Sequence, residues 1–395
     1  MPKETIVIYG PFNFPFGDAG ANRVYGIARA IVEAGWHVFV VGRGECREQD
    51  IQLDRTYLVD GIQYSSIYVQ KEAKILKVIK LLSGGISYQT VWMQNGVIKP
   101  YAIISYANNF TGNYWVIRKA SVSKTRFIVD VVEWYSPQEF KAGMLAFPYV
   151  DNQLGIRSFQ TVKNSIVISK TLEDYFFNTV RNIIRIPPLV DTQTVSYRAK
   201  RFGRKIHLVY AGTPTNKDYL QTIIQGIGLL GKKERENIQF NIYGIDKKIL
   251  QTYLDAMRYS INSVNFEGTI IAHGRVSRDI VLEALRASDF MVLLRPQMRY
   301  ANAGFPSKVP ESLAVGTPVM LNHTSDLSMY IRDGHEGIIV EECSANAMVA
   351  ALRKALALSR EELDIMRSEA RKCAEEHFDY RNYVQPLKYF LEHAK

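Results

Sequence analysis

The sequence predicts an α/β fold of two doubly wound domains of similar size that face a cleft. Three observations predict it. The chain has 395 residues, more than a single hydrophobic core ordinarily organises. In both halves, short apolar runs that end in Gly alternate with amphipathic helical stretches, the pattern of a parallel sheet with helical crossovers. Between the halves, RIPPLVDT (185–192) carries two prolines and reads as a domain exit. The boundaries that follow are 1–190 for the first domain and 191–375 for the second.

TIVIYG opens the first domain as a buried strand, and a loop rich in Gly, Pro, Phe and Asn follows it. Val24, Ile27, Ala28 and Ile31 recur at helical spacing, which predicts a helix from Asn22 to Glu33 closed by Gly35. HVFVVGRG is the next strand, so the opening is one β-loop-α-β unit. RFIVDVVEW (126–134) and SIVIS (165–169) are further strands. After the basic link RAKRFGRK (198–205), strands are expected at 205–212, 238–244, 263–270, 289–296 and 317–322. Helices are expected at 278–288, 309–315, 344–357 and 360–376, before an aromatic tail.

Forty-nine Lys and Arg against 39 Asp and Glu give a formal charge of +10, which suits anionic partners: nucleotide phosphates, nucleic acid or an acidic membrane surface. The basic residues are scattered and lack aromatic interleaving, so nucleic acid is not expected. Cys46, Cys343 and Cys373 lie far apart, without metal or disulfide spacing, as in a reduced cytoplasmic protein. No metal ligand set and no cofactor is expected. MPKETIVIYG lacks the apolar core of a signal peptide, and no apolar run reaches the length of a membrane span.

Ligands of doubly wound sheets bind beyond the C-terminal ends of the strands, so the loops there hold the candidates. In PFNFPFGDAGANR (11–23), Gly17 and Gly20 let backbone amides approach a ligand at a helix N-terminus, with Asp18 between them. The same glycines also fit a tight strand-to-helix turn. In YAGTPTNKDYL (210–220), Gly212 ends a strand and Lys217 follows, able to hold a phosphate or merely to be solvated. In the third, LLRPQMRYANAGFPSKVPESLAVGTPV, Arg295 closes an apolar strand and Ser307 and Lys308 open a helix, where amides, a hydroxyl and an ammonium can hold a diphosphate. Glu311 stands one turn beyond Ser307 and suits sugar hydroxyls; alternatively Ser307 is a plain N-terminal cap and Glu311 offsets the helix dipole.

These segments resemble a family. GDAGANRVYGIARAIVEAGWHVFVV, SIVISKTLEDYF, IPPLVD and PESLAVGTPVMLN followed by YIRDGHEGIIV are together similar to GT-B glycosyltransferases of the retaining group called family 4 or group 1, over nearly the whole chain. Pro-Ser-Lys before the Glu resembles a subgroup of bacterial polysaccharide transferases. The chain departs from the pattern at Ala303, where members carry a first glutamate, and at Thr213, where they carry an arginine. The resemblance implies two Rossmann-like domains and a terminal helix, 376–395, that returns to the first domain with its Tyr and Phe residues as core anchors.

It further implies a nucleotide-diphosphate-sugar donor held by the second domain. Lys217, Arg295 and Lys308 would stabilise the leaving diphosphate, with Arg299 a second source of charge and Glu311 on the ribose. The base would lie against Gly244 and Val276 of the HGRV turn (273–276). Glu133 would orient or deprotonate the acceptor hydroxyl, and Asp130, at mid-strand, would be structural. The acceptor implied is a glycan or lipid-linked glycan of bacterial surface polysaccharide, with retention. KEAKILKVIKLL (71–82) is either a peripheral contact with the inner face of an acidic membrane or the basic outer face of a packed helix. A nucleotide-sugar epimerase, a non-catalytic relative and a polyanion-binding protein are the alternatives.

Overall fold

The computed structural model describes residues 4–44, 56–68, 84–106, 109–195, 205–214, 217–257 and 266–395. The lysine-bearing segment 71–82, Cys46 and most of the basic link lie outside these residues. The described chain forms two compact units. Unit 1 holds residues up to Leu189, together with Asn302–Phe305 and Tyr380–Lys395; unit 2 holds Val190–Ala301 and Pro306–Asp379.

Unit 1 is built on eight strands among the described residues: β1 (Thr5–Tyr9), β2 (His37–Gly44), β3 (Tyr57–Val59), β4 (Ile62–Tyr68), β5 (Ala102–Ser105), β6 (Arg126–Val131), β7 (Asn164–Val167) and β8 (Asn182–Arg185). Their order is β3-β4-β2-β1-β5-β6-β7-β8. Every pairing is parallel except β3 with β4. The chain moves outward from β1 through β2 and then returns to β5 on the other side, so β1/β5 is the switch point of this sheet. β1 carries apolar residues on both faces because helices cover both, as parallel strands require.

The first helix, Ala19–Glu33, starts earlier than its apolar spacing suggests. Asp18 caps it: one carboxylate oxygen accepts from Ala21 N at 2.8 Å and the other from Asn13 N at 2.8 Å. Arg23 then reaches from this helix to Asp130 of β6, with Nη2–Oδ1 at 2.7 Å, and its Nη1 donates to the Ile186 carbonyl at 2.8 Å. Both groups are buried, so the pair ties helix, sheet and domain exit together, and removing one partner costs about 3–5 kcal/mol. This is the structural part expected of Asp130.

The C-terminal helix Val384–Glu392 packs on the first helix and adds Leu387, Phe390 and Leu391 to the unit 1 core, to which the preceding turn Tyr380–Tyr383 adds Tyr380. Arg29 donates to the Tyr380 hydroxyl at 2.7 Å. Tyr389 is the exception among the expected aromatic anchors, since it faces solvent.

Unit 2 carries six strands among the described residues: β9 (Ile206–Ala211), β10 (Ile238–Tyr243), β11 (Ile270–Gly274), β12 (Phe290–Leu293), β13 (Val319–Leu321) and β14 (Gly337–Ile339). All pair in parallel in the order β11-β10-β9-β12-β13-β14, which puts the switch point at β9/β12. The strand expected at 263–270 is a correction. Thr269 N and Ile270 N both bond the Phe266 carbonyl, closing a turn, and the strand begins only at Ile270. A β-branched, aromatic run resembles a strand, but Gly268 takes φ +71°, which an extended chain cannot contain.

The Asp-Gly-x-x-Gly signature proves to be a fold-forming turn. Asp333 Oδ1 accepts from Ile339 N at 2.8 Å, Gly334 N donates to the Gly337 carbonyl at 2.8 Å, and Lys354 holds Asp333 Oδ2 at 3.0 Å. A Cβ on Gly337 would stand 2.0 Å from the Val319 carbonyl, so glycine alone lets β14 approach β13.

Candidate functional site

The switch point of unit 2 gathers most of the expected residues. Gly212 follows β9 and its amide bonds the Tyr243 carbonyl at 3.0 Å. Gly244 follows β10 at φ +112°, where a Cβ would lie 1.9 Å from the Gly212 carbonyl oxygen. Its amide reaches the Gly274 carbonyl at 2.8 Å, and Gly274 N returns to the Ile245 carbonyl at 2.8 Å. Three strand ends are thus stitched edge to edge, and Val276 sits half-buried just past the last of them.

Across the switch point, Tyr219 N bonds the Leu294 carbonyl at 2.8 Å. Beside it Arg295 Nε meets Asp218 Oδ1 at 2.8 Å, with the side chains 15% and 12% exposed. The second Asp218 oxygen accepts from the Tyr210 hydroxyl at 2.7 Å. The Arg295 backbone is fixed as well, because Asn322 bonds its amide at 2.9 Å and its carbonyl at 2.7 Å. Arg295 therefore arrives with a counter-ion that sequence reasoning missed. The signal was present: Asp218 directly follows Lys217 in the loop after β9.

Ser307 occupies the N-cap position of the helix Lys308–Ala314, but with helical φ/ψ and no side-chain bond to the first turn. The plain-cap reading of Ser307 fails. Glu311 is 5% exposed; its Oε2 lies 2.7 Å from Lys308 Nζ and its Oε1 3.9 Å from Arg278 Nε. A carboxylate so far from water requires such compensation. Arg278 is the second residue missed. It opens the helix Arg278–Ala287, where the dipole disfavours a cation, and that misplacement is its signal. Among the described residues, no group of three or more His, Cys, Asp and Glu could hold a metal ion.

In unit 1 the switch point β1/β5 holds the other candidates. Gly20 lies in the first turn of the helix rather than in the loop, and a Cβ there would stand 2.9 Å from the Tyr106 ring. Gly17 N bonds the Asn13 carbonyl at 2.8 Å, and a Cβ on it would meet Asn13 Cβ at 2.5 Å. Packing thus requires both glycines, and Asp18 is engaged as a cap. β6 ends at Val131, so Glu133 projects from the following loop, where Tyr135 bonds it and Asn152 Nδ2 donates to its carbonyl at 3.4 Å. Burial, then the Glu133 charge, push the Tyr106 and Tyr135 phenols far above their ordinary pKa, so both stay protonated donors. Ala303 is completely buried, and its carbonyl accepts from Ser169 Oγ at 2.7 Å.

Residues 195–373 match the family model described as Glycosyl transferases group 1. Over these residues the chain is similar to the group 1 glycosyltransferases. The whole chain also superposes on solved structures. Sucrose-phosphate synthase from Thermosynechococcus elongatus gives a TM-score of 0.74 at 12% identity, over 99% of this chain and 98% of that one. An α,α-trehalose-phosphate synthase (UDP-forming) from Burkholderia xenovorans, in complex with glucose-6-phosphate, gives 0.70 at 11% identity, over 98% and 100%. Anabaena HepE in complex with UDP-glucose gives 0.68 at 11% identity, over 98% and 99%. At such identities the likeness is one of fold, and the fold is GT-B. No curated protein sequence matches the chain.

Proposed function

We propose that the protein moves a sugar from a uridine-diphosphate sugar to a hydroxyl of a glycan or lipid-linked glycan in bacterial surface polysaccharide synthesis, with retention. The single observation that carries the donor reading is the buried Glu311 held by Lys308 and Arg278 at a helix mouth of the same unit that holds the Asp218–Arg295 bridge. Cations already fixed by counter-ions are preorganised, so they stabilise the charge that develops on a leaving diphosphate without reorganising first. Arg295, Lys308 and Arg278 take that role, with Lys217 a further cation in the loop after β9 and Ser307 adding a hydroxyl.

The bond between the anomeric carbon and the diphosphate oxygen breaks, its electron pair leaving with the diphosphate, as the acceptor oxygen bonds that carbon on the same face, which retains the configuration. Glu311 accepts from the ribose hydroxyls, and Gly212, Gly244 and Val276 line the base with backbone. The uridine choice is supported by the UDP-glucose complex of a structural neighbour. On the acceptor side, Glu133 orients the attacking hydroxyl and receives its proton, with Tyr135 fixing the carboxylate. No step calls on a cofactor.

Incubation with a panel of nucleotide sugars tests the reading. Release of UDP from one or more UDP-sugars, faster with a polysaccharide or lipid-linked acceptor, is expected. Nucleotide binding without turnover would instead make the protein a non-catalytic relative, consistent with the loss of a carboxylate at Ala303.

A further inference from the structure

We propose that the turn Gly143–Leu145 and the helix Phe147–Phe159 of unit 1 form a docking surface for an anionic lipid bilayer. The helix has an ordinary inner face, where Asp151, Asn152, Ile156 and Phe159 are buried. Its outer side is unusual. Phe147, Val150 and Leu154 follow helical spacing along one stripe, and Met144 and Leu145 extend the stripe from the preceding turn, all of them exposed. Leu145 is 89% exposed and Phe147 54%, values that a folded chain tolerates singly but seldom in a contiguous row.

The charges around the stripe select its occupant. Between Phe140 and Lys163 the lone acid is Asp151, which is buried and bonded by Thr111 N at 2.9 Å and Asn109 Nδ2 at 2.9 Å. Lys141 and Arg157 from the same stretch are exposed, and Lys163, also exposed, lies beyond the helix beside Lys124 and Lys395. An apolar stripe bordered by exposed Lys141 and Arg157 matches the acyl boundary and headgroups of an anionic bilayer at once, while Glu139 of the preceding turn is half-buried and its carboxylate accepts from Ser136 N at 2.8 Å. A second copy of the chain would oppose one cationic rim to another, and a nucleic acid would leave the aliphatic side chains in water. The surface is also joined to the acceptor side: Asn152 Oδ1 accepts from Tyr135 N at 2.9 Å and Gln153 Oε1 from Trp134 Nε1 at 3.1 Å, flanking Glu133. Only this last link, which would bring a bilayer-held acceptor to Glu133, rests on the function proposed above.

Co-sedimentation of the full chain with phosphatidylcholine vesicles, with and without phosphatidylglycerol, tests the proposal. The wild type should sediment with the phosphatidylglycerol vesicles, and Leu145→Glu/Phe147→Glu should lower its partition about tenfold or more. Lys141→Glu/Arg157→Glu should remove the preference for phosphatidylglycerol. A wild type that stays in the supernatant, or a Leu145→Glu/Phe147→Glu protein that partitions like it, would overturn the proposal. So would a double variant whose one change is a dimer becoming a monomer by light scattering. UDP binding on the same proteins keeps the two readings apart: vesicle binding without UDP binding sinks the donor site alone, and UDP binding without vesicle binding sinks the docking surface alone.

Discussion

Asp218 decides whether Arg295 is a tool or a liability. Its carboxylate takes Arg295 on one oxygen and Tyr210 on the other, so three side chains from β9, its loop and the end of β12 hold one geometry. A hydrogen bond to a charged group in so sheltered a place is worth about 1.5–3 kcal/mol. Asp218→Asn should therefore lower kcat about tenfold or more while the KM for the donor changes less, and steady-state kinetics on a UDP-sugar would show it. Increased turnover in that variant would mean that Asp218 competes with the diphosphate for Arg295. Position 303 is explained at the same scale: a fully buried residue whose carbonyl is taken by Ser169 sits where a side-chain carboxylate would lack water.

Among the elements, the stitched ends of β9, β10 and β11 set the shape of the proposed base site. Gly244 is the knot, at φ +112° and against the Gly212 carbonyl. Gly244→Ala adds a strained backbone and a clash with main chain, and should cost at least about 3 kcal/mol in urea unfolding. An unchanged unfolding midpoint would show that the strand ends are free to part. The elements that position the site were largely legible from sequence, because β1, β6, β9, β10 and β12 are apolar runs ended by Gly or a charged residue. The first helix was legible in its apolar stripe but not in its start, which depends on the Asp18 cap. β3, β4, β5, β8 and β14 were missed: β4 (IQYSSIY) is too polar to read as an apolar run, and the others are three or four residues long without a longer apolar run around them. In the site, Ser307, Lys308 and Glu311 were legible as a group at one helix mouth, but the Lys308–Glu311 ion pair was not. Asp218 and Arg278 each left a local signal, but their ion pairs were not legible, because the partners stand far away in sequence and no local spacing records a fold-made ion pair.

At the scale of the whole molecule, stability and function draw on different carboxylates. Burial works to raise the Asp333 and Glu336 pKa values, but the Ile339 amide and Lys354 on the first, and Arg332 on the second, outweigh it and hold both below the usual carboxylate range. A folded-state pKa lowered in this way contributes stability that is complete above the unfolded value of about 4 and disappears as pH falls through the folded value. The melting temperature should accordingly drop on acidification below about pH 4, and Asp333→Asn should melt lower at neutral pH yet lose less on acidification; parallel melting curves across pH would contradict this. The charge of +10 has its own use on this account, split between a diphosphate grip in unit 2 and a cationic rim in unit 1. Among the described residues no helix is long and apolar enough to cross a membrane.

The central claim is that unit 2 holds a uridine diphosphate through Glu311 and the cations around it. Calorimetric titration of UDP into the wild type and into Glu311→Gln tests it most directly. Binding by the wild type, weakened about tenfold or more in the variant, is the result expected when one hydrogen bond to a charged group is lost. A wild type that does not bind UDP, or two proteins with equal affinity, would contradict it.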